Sequence, residues 1–254
     1  MRYITLLLLM LMPFSLLLGY ELVSLVDTPT AGILQKGEVQ VSAKIYRDNG
    51  ILIGSSVGIF PRFMFGISYG GENIVGNDTP NWHERVEVNA KYRILDESPK
   101  VPAIVLGFDT QGQGVFHKSL KRFDVKSKGF YLAASRNYLL YGNLGLHLGT
   151  NYSLENKDGQ ENLNFFAGID KSIGDNLTLL VDYDVALNDK KAKVDGLNED
   201  GFWHRRGNGY LNLALNFRFT DFVSVKVVAH DILQNNRLTN GADRAIIIDY
   251  NMKF

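Results

Sequence analysis

The chain has 254 residues with 27 basic and 27 acidic side chains, a formal charge of zero and no cysteine. This balance argues against nucleic acid as a partner, because phosphate binding needs a basic surplus. The lack of cysteine excludes disulfides, thiolate metal sites and a cysteine nucleophile. A mean hydropathy of -0.08 excludes a multi-helix membrane protein, whereas 25 Gly, 12 Tyr and 15 Phe favour a β-rich chain.

The first residues have the pattern of an export signal. Arg2 precedes an apolar run from Ile4 to Leu18, which is too short for a spanning helix of about 20 apolar residues. We predict a signal peptide at residues 1–19, with a buried N-terminal helix as the alternative. The rest of the chain should then be exported.

Residues 20–36 form a distinct N-terminal segment. Leu22, Leu25 and Ile33 make it too apolar to stay loose in water, and Pro29 argues against a helix through its middle. We expect a periplasmic segment, which is a short strand, a tail or a partial plug of the barrel predicted below. As a plug, it would bring Asp27 close to Arg93.

From residue 37 onward, apolar and polar side chains alternate with period two, which is typical of strands with two unlike faces. In the clearest case, Val86, Val88 and Ala90 alternate with Glu87 and Asn89. We predict strands at residues 37–47, 50–60, 62–71, 83–94, 101–111, 123–136, 140–154, 162–173, 176–188, 208–219, 222–233 and 243–254. One such segment also fits a soluble sandwich, so the number of strands and their connections decide.

The connections alternate between short turns and longer polar loops. Together with an even strand count, this predicts an all-β fold, a closed antiparallel transmembrane β-barrel of about 12 strands over residues 37–254. Short turns and both termini would be periplasmic, and the longer loops extracellular. The facing of strand six stays open, because Phe130 and Leu132 compete with Tyr131 and Ala133. The expected location is the bacterial outer membrane, in contact with its lipids.

The last strand alternates apolar residues back from Phe254. This pattern resembles the C-terminal signature that the barrel insertion machinery recognises, so we expect that machinery to bind through Phe254. Any amphipathic last strand that ends in Phe would look the same.

Charged and polar residues on the predicted inner face form the candidate functional site. A basic wall on strands four to six would partly face an acidic wall on strands eight and nine, which would either order ions in a narrow pore or close it by pairing. The lumen-lining candidates are Arg85, Glu87, Lys91, Arg93, Lys126, His147, Asp170, Asp182, Asp184, Asn212, Arg218, Lys226 and His230.

Catalytic chemistry finds little support in the sequence. No Ser–His pair is expected on the lipid-facing wall, and Asp182 and Asp184 with His204 are weak grounds for a protease. There is no phosphate-binding loop and no cluster with metal-ligand spacing. We therefore expect no catalytic residues, no cofactor, no metal and no enzyme activity.

Several stretches resemble one known family. Residues Asp27–Gly32, Gly50–Leu52, Gly66–Gly71, Val88–Ile94 and Pro102–Phe108 are similar to the YjbH-type family of bacterial outer-membrane proteins, which is linked to exopolysaccharide production. The resemblance covers roughly the first half of the chain and implies no catalytic residues.

Three functions remain in view from the sequence. The first is a narrow, porin-like channel that transports small polar solutes, with saccharides or anions as candidates. The second is a non-conducting scaffold for exopolysaccharide or envelope assembly, with polysaccharide as a candidate partner. An outer-membrane enzyme is the third.

Overall fold

The computed structural model describes residues 21–189, 205–236 and 241–254. The predicted signal peptide, residues 1–19, lies outside this part. Within these ranges no helix has the length and apolar character needed to cross a membrane. The strands are β1 (Glu38–Tyr46), β2 (Gly50–Phe60), β3 (Phe63–Glu72), β4 (Asn81–Trp82), β5 (Glu87–Leu95), β6 (Ala103–Asp109), β7 (Gln113–His117), β8 (Arg122–Val125), β9 (Gly129–Leu139), β10 (Asn143–Tyr152), β11 (Asn164–Ser172), β12 (Leu177–Asp184), β13 (Tyr210–Arg218), β14 (Val223–His230) and β15 (Asp243–Lys253).

Twelve of these strands close into a single barrel. All except β4, β7 and β8 pair antiparallel with a neighbour on each side, and the first strand pairs with the last. Ile45 of β1 lies opposite Ile51 of β2 on one side and Ile246 of β15 on the other. Closure leaves no wall strand with an unpaired backbone edge, as a lipid environment requires. The predicted fold, a closed antiparallel barrel of twelve strands, is confirmed.

The wall has an apolar outer face and a mostly polar inner face, because successive side chains of a strand point to opposite sides. On β15, Ile246 and Ile248 are exposed, whereas Ile247 and Asp249, which alternate with them, are buried. On β9, Phe130 is 54% exposed and Tyr131 only 3%. The structure thus turns Phe130 and Leu132 outward.

The predicted sixth strand, at residues 123–136, is wrong in its first part. Residues 122–125 form β8, which pairs with β7 in a separate hairpin, and the wall strand β9 begins only at Gly129. The chain changes direction at Gly129, where φ is +62° and a Cβ would lie 2.2 Å from the Tyr152 carbonyl oxygen. Glycine alone fits this close approach without strain. The alternating pattern runs through the break and hides it.

The N-terminal residues 21–36, here called the plug, lie inside the barrel. They double back on themselves, with Ser24 bridged to Pro29, and return to the wall where Lys36 bridges to Gly58 near the end of β2. Leu25, Ala31 and Leu34 are almost completely buried.

Two apolar clusters surround the plug. One contains Leu25 and Val26 with wall residues of β12 to β15, and the other contains Ala31, Ile33 and Leu34 with wall residues of β3, β6, β9 and β11. The hydrophobic core of the described chain is therefore the contact between the plug and the barrel.

Candidate functional site: the lumen and its plug

A single wall carboxylate holds the tip of the plug. Asp182 Oδ2 accepts hydrogen bonds from the backbone N–H groups of Val26 (3.0 Å), Asp27 (2.8 Å) and Thr28 (3.0 Å). The Thr28 hydroxyl donates to the same oxygen at 3.1 Å. Three successive N–H groups that converge on one oxygen form an anion-binding nest. The tip of the plug thus binds the carboxylate of Asp182 through its backbone N–H groups.

Lysine and arginine on β5 hold the plug from the opposite direction. Lys91 Nζ donates to the carbonyl oxygens of Thr30 (3.2 Å) and Gly32 (3.3 Å), and also to that of Val23. Arg93 donates to the Ala31 carbonyl oxygen at 2.7 Å. Charged donors give the stronger class of hydrogen bond. The basic wall therefore binds plug carbonyl groups, while the acidic wall binds plug N–H groups.

Asp27 does not approach Arg93, contrary to the sequence-based expectation. Arg93 instead pairs with Glu21 at the start of the plug. Asp27 lies at the tip, 3.7 Å from Lys44 Nζ and 2.7 Å from His230 Nδ1. The difference arises because the plug is a hairpin, which carries its middle residues toward the extracellular half of the lumen.

A hydrogen-bonded chain of Ser135, His147 and Asp170, which the sequence did not predict, also anchors the plug. Ser135 Oγ lies 2.7 Å from His147 Nδ1, and His147 Nε2 lies 2.8 Å from Asp170 Oδ1. Asp170 can only accept, so His147 donates through Nε2 and accepts the serine proton at Nδ1. The same Oγ accepts the Ala31 N–H at 2.7 Å. The serine is thus buried against the plug, and the chain fixes the direction of its hydroxyl group.

Only the pairing of strands could have revealed this chain. Ser135 and His147 are directly opposite in the β9–β10 register, and His147 lies opposite Gly168 next to Asp170 on β11. All three side chains are on the inner face of the wall. Histidine and serine are common enough that their spacing along the chain gives no signal.

Most of the other predicted lumen residues are buried inside the barrel and carry a partner. Lys226 pairs with Asp249 at 3.0 Å, and Asn212 donates to Asp182 at 2.9 Å. Asp184 accepts from Lys128 and from Asn164. These pairs neutralise the wall locally instead of leaving two bare walls of opposite sign.

Three predicted residues lie at or beyond the ends of the wall strands. Arg85 precedes β5, is half-exposed and donates to the buried Glu87 at 2.8 Å. Arg218 lies at the exposed end of β13 and donates to the Asp175 carbonyl oxygen. Lys126 belongs to the loop that follows β8 and pairs with Asp158 at 2.7 Å. The wall strands are shorter than the sequence pattern suggests, so the alternation continues past their ends.

Buried charges hold the extracellular loops together above the barrel. Arg122 is fully buried and donates to Asp158 (2.5 Å) and Asp189 (2.9 Å). Tyr210 of β13 donates to the second oxygen of Asp189 at 2.6 Å. These contacts join three loops to the wall, and we call them the loop lock.

The β7–β8 hairpin folds inward over the mouth of the barrel. Arg47, at the end of β1, pairs with Asp124 of β8 at 2.7 Å, and Lys44 donates to Gln113 of β7. Since Lys44 also faces Asp27, this one side chain lies between the hairpin above and the plug tip below. The hairpin therefore narrows the lumen on the extracellular side of the plug.

A cavity of about 70 Å³, lined mostly by polar and charged residues, lies between the plug tip and the hairpin. It is smaller than the usual ligand pocket of about 300–1,000 Å³, but it is large enough for a few water molecules or one small solute. We call it the vestibule. Its lining includes Asp27, Lys44, Tyr46, Arg47, Leu52, His83, Gln111, Gln113, Asp124, Lys128, Asp184, Tyr210, Asn212, His230, Asp231, Asn236, Asp243 and Arg244. In the described residues, no group of acidic residues and histidines could hold a metal ion.

Acidity should tighten the loops that cover the vestibule. Glu155 is buried after β10, where its Oε2 accepts the N–H groups of Phe123 and Ser127 at 3.2 Å each. Burial raises the pKa of this carboxyl group to about 7. Because the pKa is higher in the folded state than in the unfolded state, its stabilising contribution is complete below about pH 4.5 and is lost as the pH rises through 7.

We expect amide hydrogens of residues 122–128 to exchange more slowly at pH 5.5 than at pH 8, after correction for intrinsic rates. Glu155→Gln should remove this difference, because the amide side chain does not titrate. Glu161→Gln, which changes an exposed glutamate of the same loop, is the matched control and should behave like the wild type. An undiminished pH difference in the Glu155→Gln variant would contradict the assignment.

Comparison with known proteins relates the chain to porins by structure only. No protein-family model matches the sequence, and no curated protein matches it. A KdgM porin is 11% identical, with 85% of this chain and 99% of that chain covered and a TM-score of 0.50. The KdgM porin in complex with disordered oligogalacturonate is 12% identical, with 84% of this chain and 98% of that chain covered and a TM-score of 0.51.

The chain has a porin-like barrel fold. A closed barrel with an even number of strands and an apolar outer band is the form that proteins of the bacterial outer membrane take, so the predicted location is confirmed. At 11–12% identity the likeness extends to the fold alone, and neither the solute nor the site residues follow from it.

Proposed function

We propose that this protein is an outer-membrane channel for small polar solutes, and that its plug closes it at rest. The vestibule carries the proposal: it is a cavity of about 70 Å³ whose lining includes the plug tip through Asp27. A solute could enter it from the extracellular side, and the plug would have to move before the solute reached the periplasm.

The contacts of the plug are compatible with its displacement from the lumen. Its backbone is held by wall side chains, above all Asp182 and Lys91, and no strand of the barrel depends on it for closure. Buried hydrogen bonds of this kind hold one closed position but can be exchanged for water when the plug leaves. The wall would keep its shape in both states.

Deletion of residues 21–36 tests the channel. We expect the variant to assemble, since the wall pairs and the C-terminal strand are unchanged, and to show a several-fold higher single-channel conductance in planar bilayers. The wild type in the same membrane is the reference, and heat-modifiable gel migration checks the fold of both. Unchanged conductance in a folded deletion variant would overturn the proposal.

A second function is favoured by the tight packing of the plug. Leu25 and Ala31 are 0% exposed. This packing is expected for a permanently filled lumen as well as for a closed channel. We propose as the alternative a non-conducting scaffold for exopolysaccharide or envelope assembly, which the resemblance to the YjbH-type family supports. Barrels without conductance in the wild type and in the deletion variant, together with altered exopolysaccharide in cells lacking the protein, would favour it.

Two further partners belong to the proposal. The exposed apolar band of the wall would contact outer-membrane lipids. Phe254 is 87% exposed at the end of the last strand, where the barrel insertion machinery could bind it. Truncation of Phe254 should then slow assembly in cells without lowering the stability of the folded barrel.

A further inference from the structure

We infer that the vestibule binds a neutral, hydroxyl-rich solute no larger than a monosaccharide, in preference to an acidic sugar. This inference rests on the proposed function, because it names the class of solute that the channel would take up. Three features of the lining carry it: paired cations, a surplus of carboxylates and two histidine nitrogens that lack partners.

The buried cations of the vestibule are already paired. Lys44 lies 3.7 Å from Asp27, and Arg47 lies 2.7 Å from Asp124 and 3.4 Å from Asp243. Lys128 pairs with Asp184 in the same way. An acidic ligand would have to break these pairs to gain a positive partner, and a buried charge that loses its partner is costly.

Carboxylates outnumber cations around the vestibule. Among the residues that the structure describes, its lining contains four basic side chains, of which Arg244 is exposed, and five carboxylates, which include Asp231. A second negative charge brought into this space would meet repulsion that is weakly screened in a partly enclosed site. Neutral solutes avoid this cost.

Two histidines offer acceptors that suit hydroxyl groups. His230 Nδ1 lies 2.7 Å from Asp27, and His83 Nε2 lies 3.1 Å from Glu72. Carboxylates only accept, so these nitrogens carry the protons, and in the neutral rings the other nitrogens are acceptors. His230 Nε2 and His83 Nδ1 are buried and have no hydrogen-bond partner among the described residues.

Because one ring nitrogen of each histidine lacks a hydrogen-bond donor, the two side chains favour a ligand that carries hydroxyl groups. A buried polar atom without a partner costs about 1–3 kcal/mol, and a sugar hydroxyl could supply the missing donor after a small rearrangement. A carboxylate cannot donate, so it leaves both nitrogens unsatisfied. Both residues line the vestibule, which places the acceptors and the charge pairs around the same ligand.

Binding can be measured on detergent-folded full-length protein without any transport. Glucose and glucuronate serve as probes because they differ only at carbon 6, and saturation-transfer NMR detects weak affinities. We expect glucose to bind and glucuronate to bind at least about fivefold more weakly, roughly the worth of one lost hydrogen bond. Equal or tighter binding of glucuronate, or no binding of glucose, would overturn the inference.

Two variants locate the bound sugar and test the charge argument. Leu52→Trp should fill part of the vestibule and weaken glucose binding, whereas Leu148→Trp, on the lipid-facing side, should leave it unchanged. Asp184→Asn should release Lys128 and strengthen glucuronate binding, whereas Asp175→Asn, in a periplasmic turn, should not. Glucose binding that survives Leu52→Trp, or Asp184→Asn without effect on glucuronate, would overturn the inference.

Conductance of the same preparations separates this inference from the proposed function. A barrel that binds glucose but never conducts, even without residues 21–36, would overturn the channel and leave the binding site standing. A barrel that conducts but does not bind glucose would overturn the binding site and leave the channel standing.

Discussion

Replacement of Asp182 by alanine is expected to release the plug tip and open the lumen. One oxygen of this carboxylate accepts four hydrogen bonds from residues 26–28, and hydrogen bonds to a charged acceptor contribute about 1.5–3 kcal/mol each. Relief of the buried charge offsets part of this loss. A net loss of about 4 kcal/mol would lower the ratio of closed to open plug about a thousandfold.

Single-channel recordings of the Asp182→Ala variant should show frequent open events at the conductance level of the plug deletion. Asp221→Ala, which removes an exposed carboxylate in the turn between β13 and β14, is the control and should retain wild-type recordings. A folded Asp182→Ala barrel that stays closed would mean that the apolar clusters around Leu25 and Leu34 hold the plug alone.

Replacement of Arg122 by alanine is expected to unlock the extracellular loops. The change leaves Asp158 and Asp189 without their common buried partner, and loss of one member of a buried ion pair costs about 3–5 kcal/mol. Lys126 still pairs with Asp158, and Arg205 still lies 3.7 Å from Asp189, so these two cations offset part of the loss. The loops should then open far more often, although the membrane wall stays intact.

Limited proteolysis should cut the Arg122→Ala variant within residues 110–128 much faster than the wild type, with no loss of the heat-resistant barrel. Arg62→Ala is the matched control, because Arg62 forms a half-exposed ion pair with Asp96 in a periplasmic turn and such pairs contribute about 0–1 kcal/mol. Equal cleavage rates in the two variants would show that the loop lock does not depend on Arg122.

The loop lock and the plug control the two sides of the vestibule independently. Asp182 and Lys91 act on the plug below it, whereas Arg122 acts on the loops above it. If both predictions hold, the double variant should show the high conductance of Asp182→Ala and the fast proteolysis of Arg122→Ala. The effects of substitutions at sites without shared partners are usually additive.

The barrel follows from the pattern of residues along the chain. A strand that faces lipid on one side and water on the other must alternate, so residues such as Ile246, Ile248 and Asp249 reveal their faces directly. The number of strands and the alternation of short and long connections then leave closure as the only way to satisfy the backbone in lipid. The local pattern is sufficient to predict the barrel, because lipid or water contacts each side chain separately.

The partners of the lumen charges, in contrast, follow only from the three-dimensional packing. Asp182 and Lys91 lie on strands nearly opposite each other in the ring, and the sequence suggested either a bare pore or direct pairing across it. Both in fact bind the backbone of the plug. Backbone groups are the same in every residue, so the sequence of the plug gives no sign of which carbonyl or N–H group a wall charge will bind.

The Ser135–His147–Asp170 chain and the inward fold of the β7–β8 hairpin were hidden for the same reason. Each depends on the register between strands or on a turn such as that at Gly129, where one residue's shift would move every side chain to the other face. Alternation predicts which side of the wall a residue faces. Its partners within the lumen follow only from the closed three-dimensional ring.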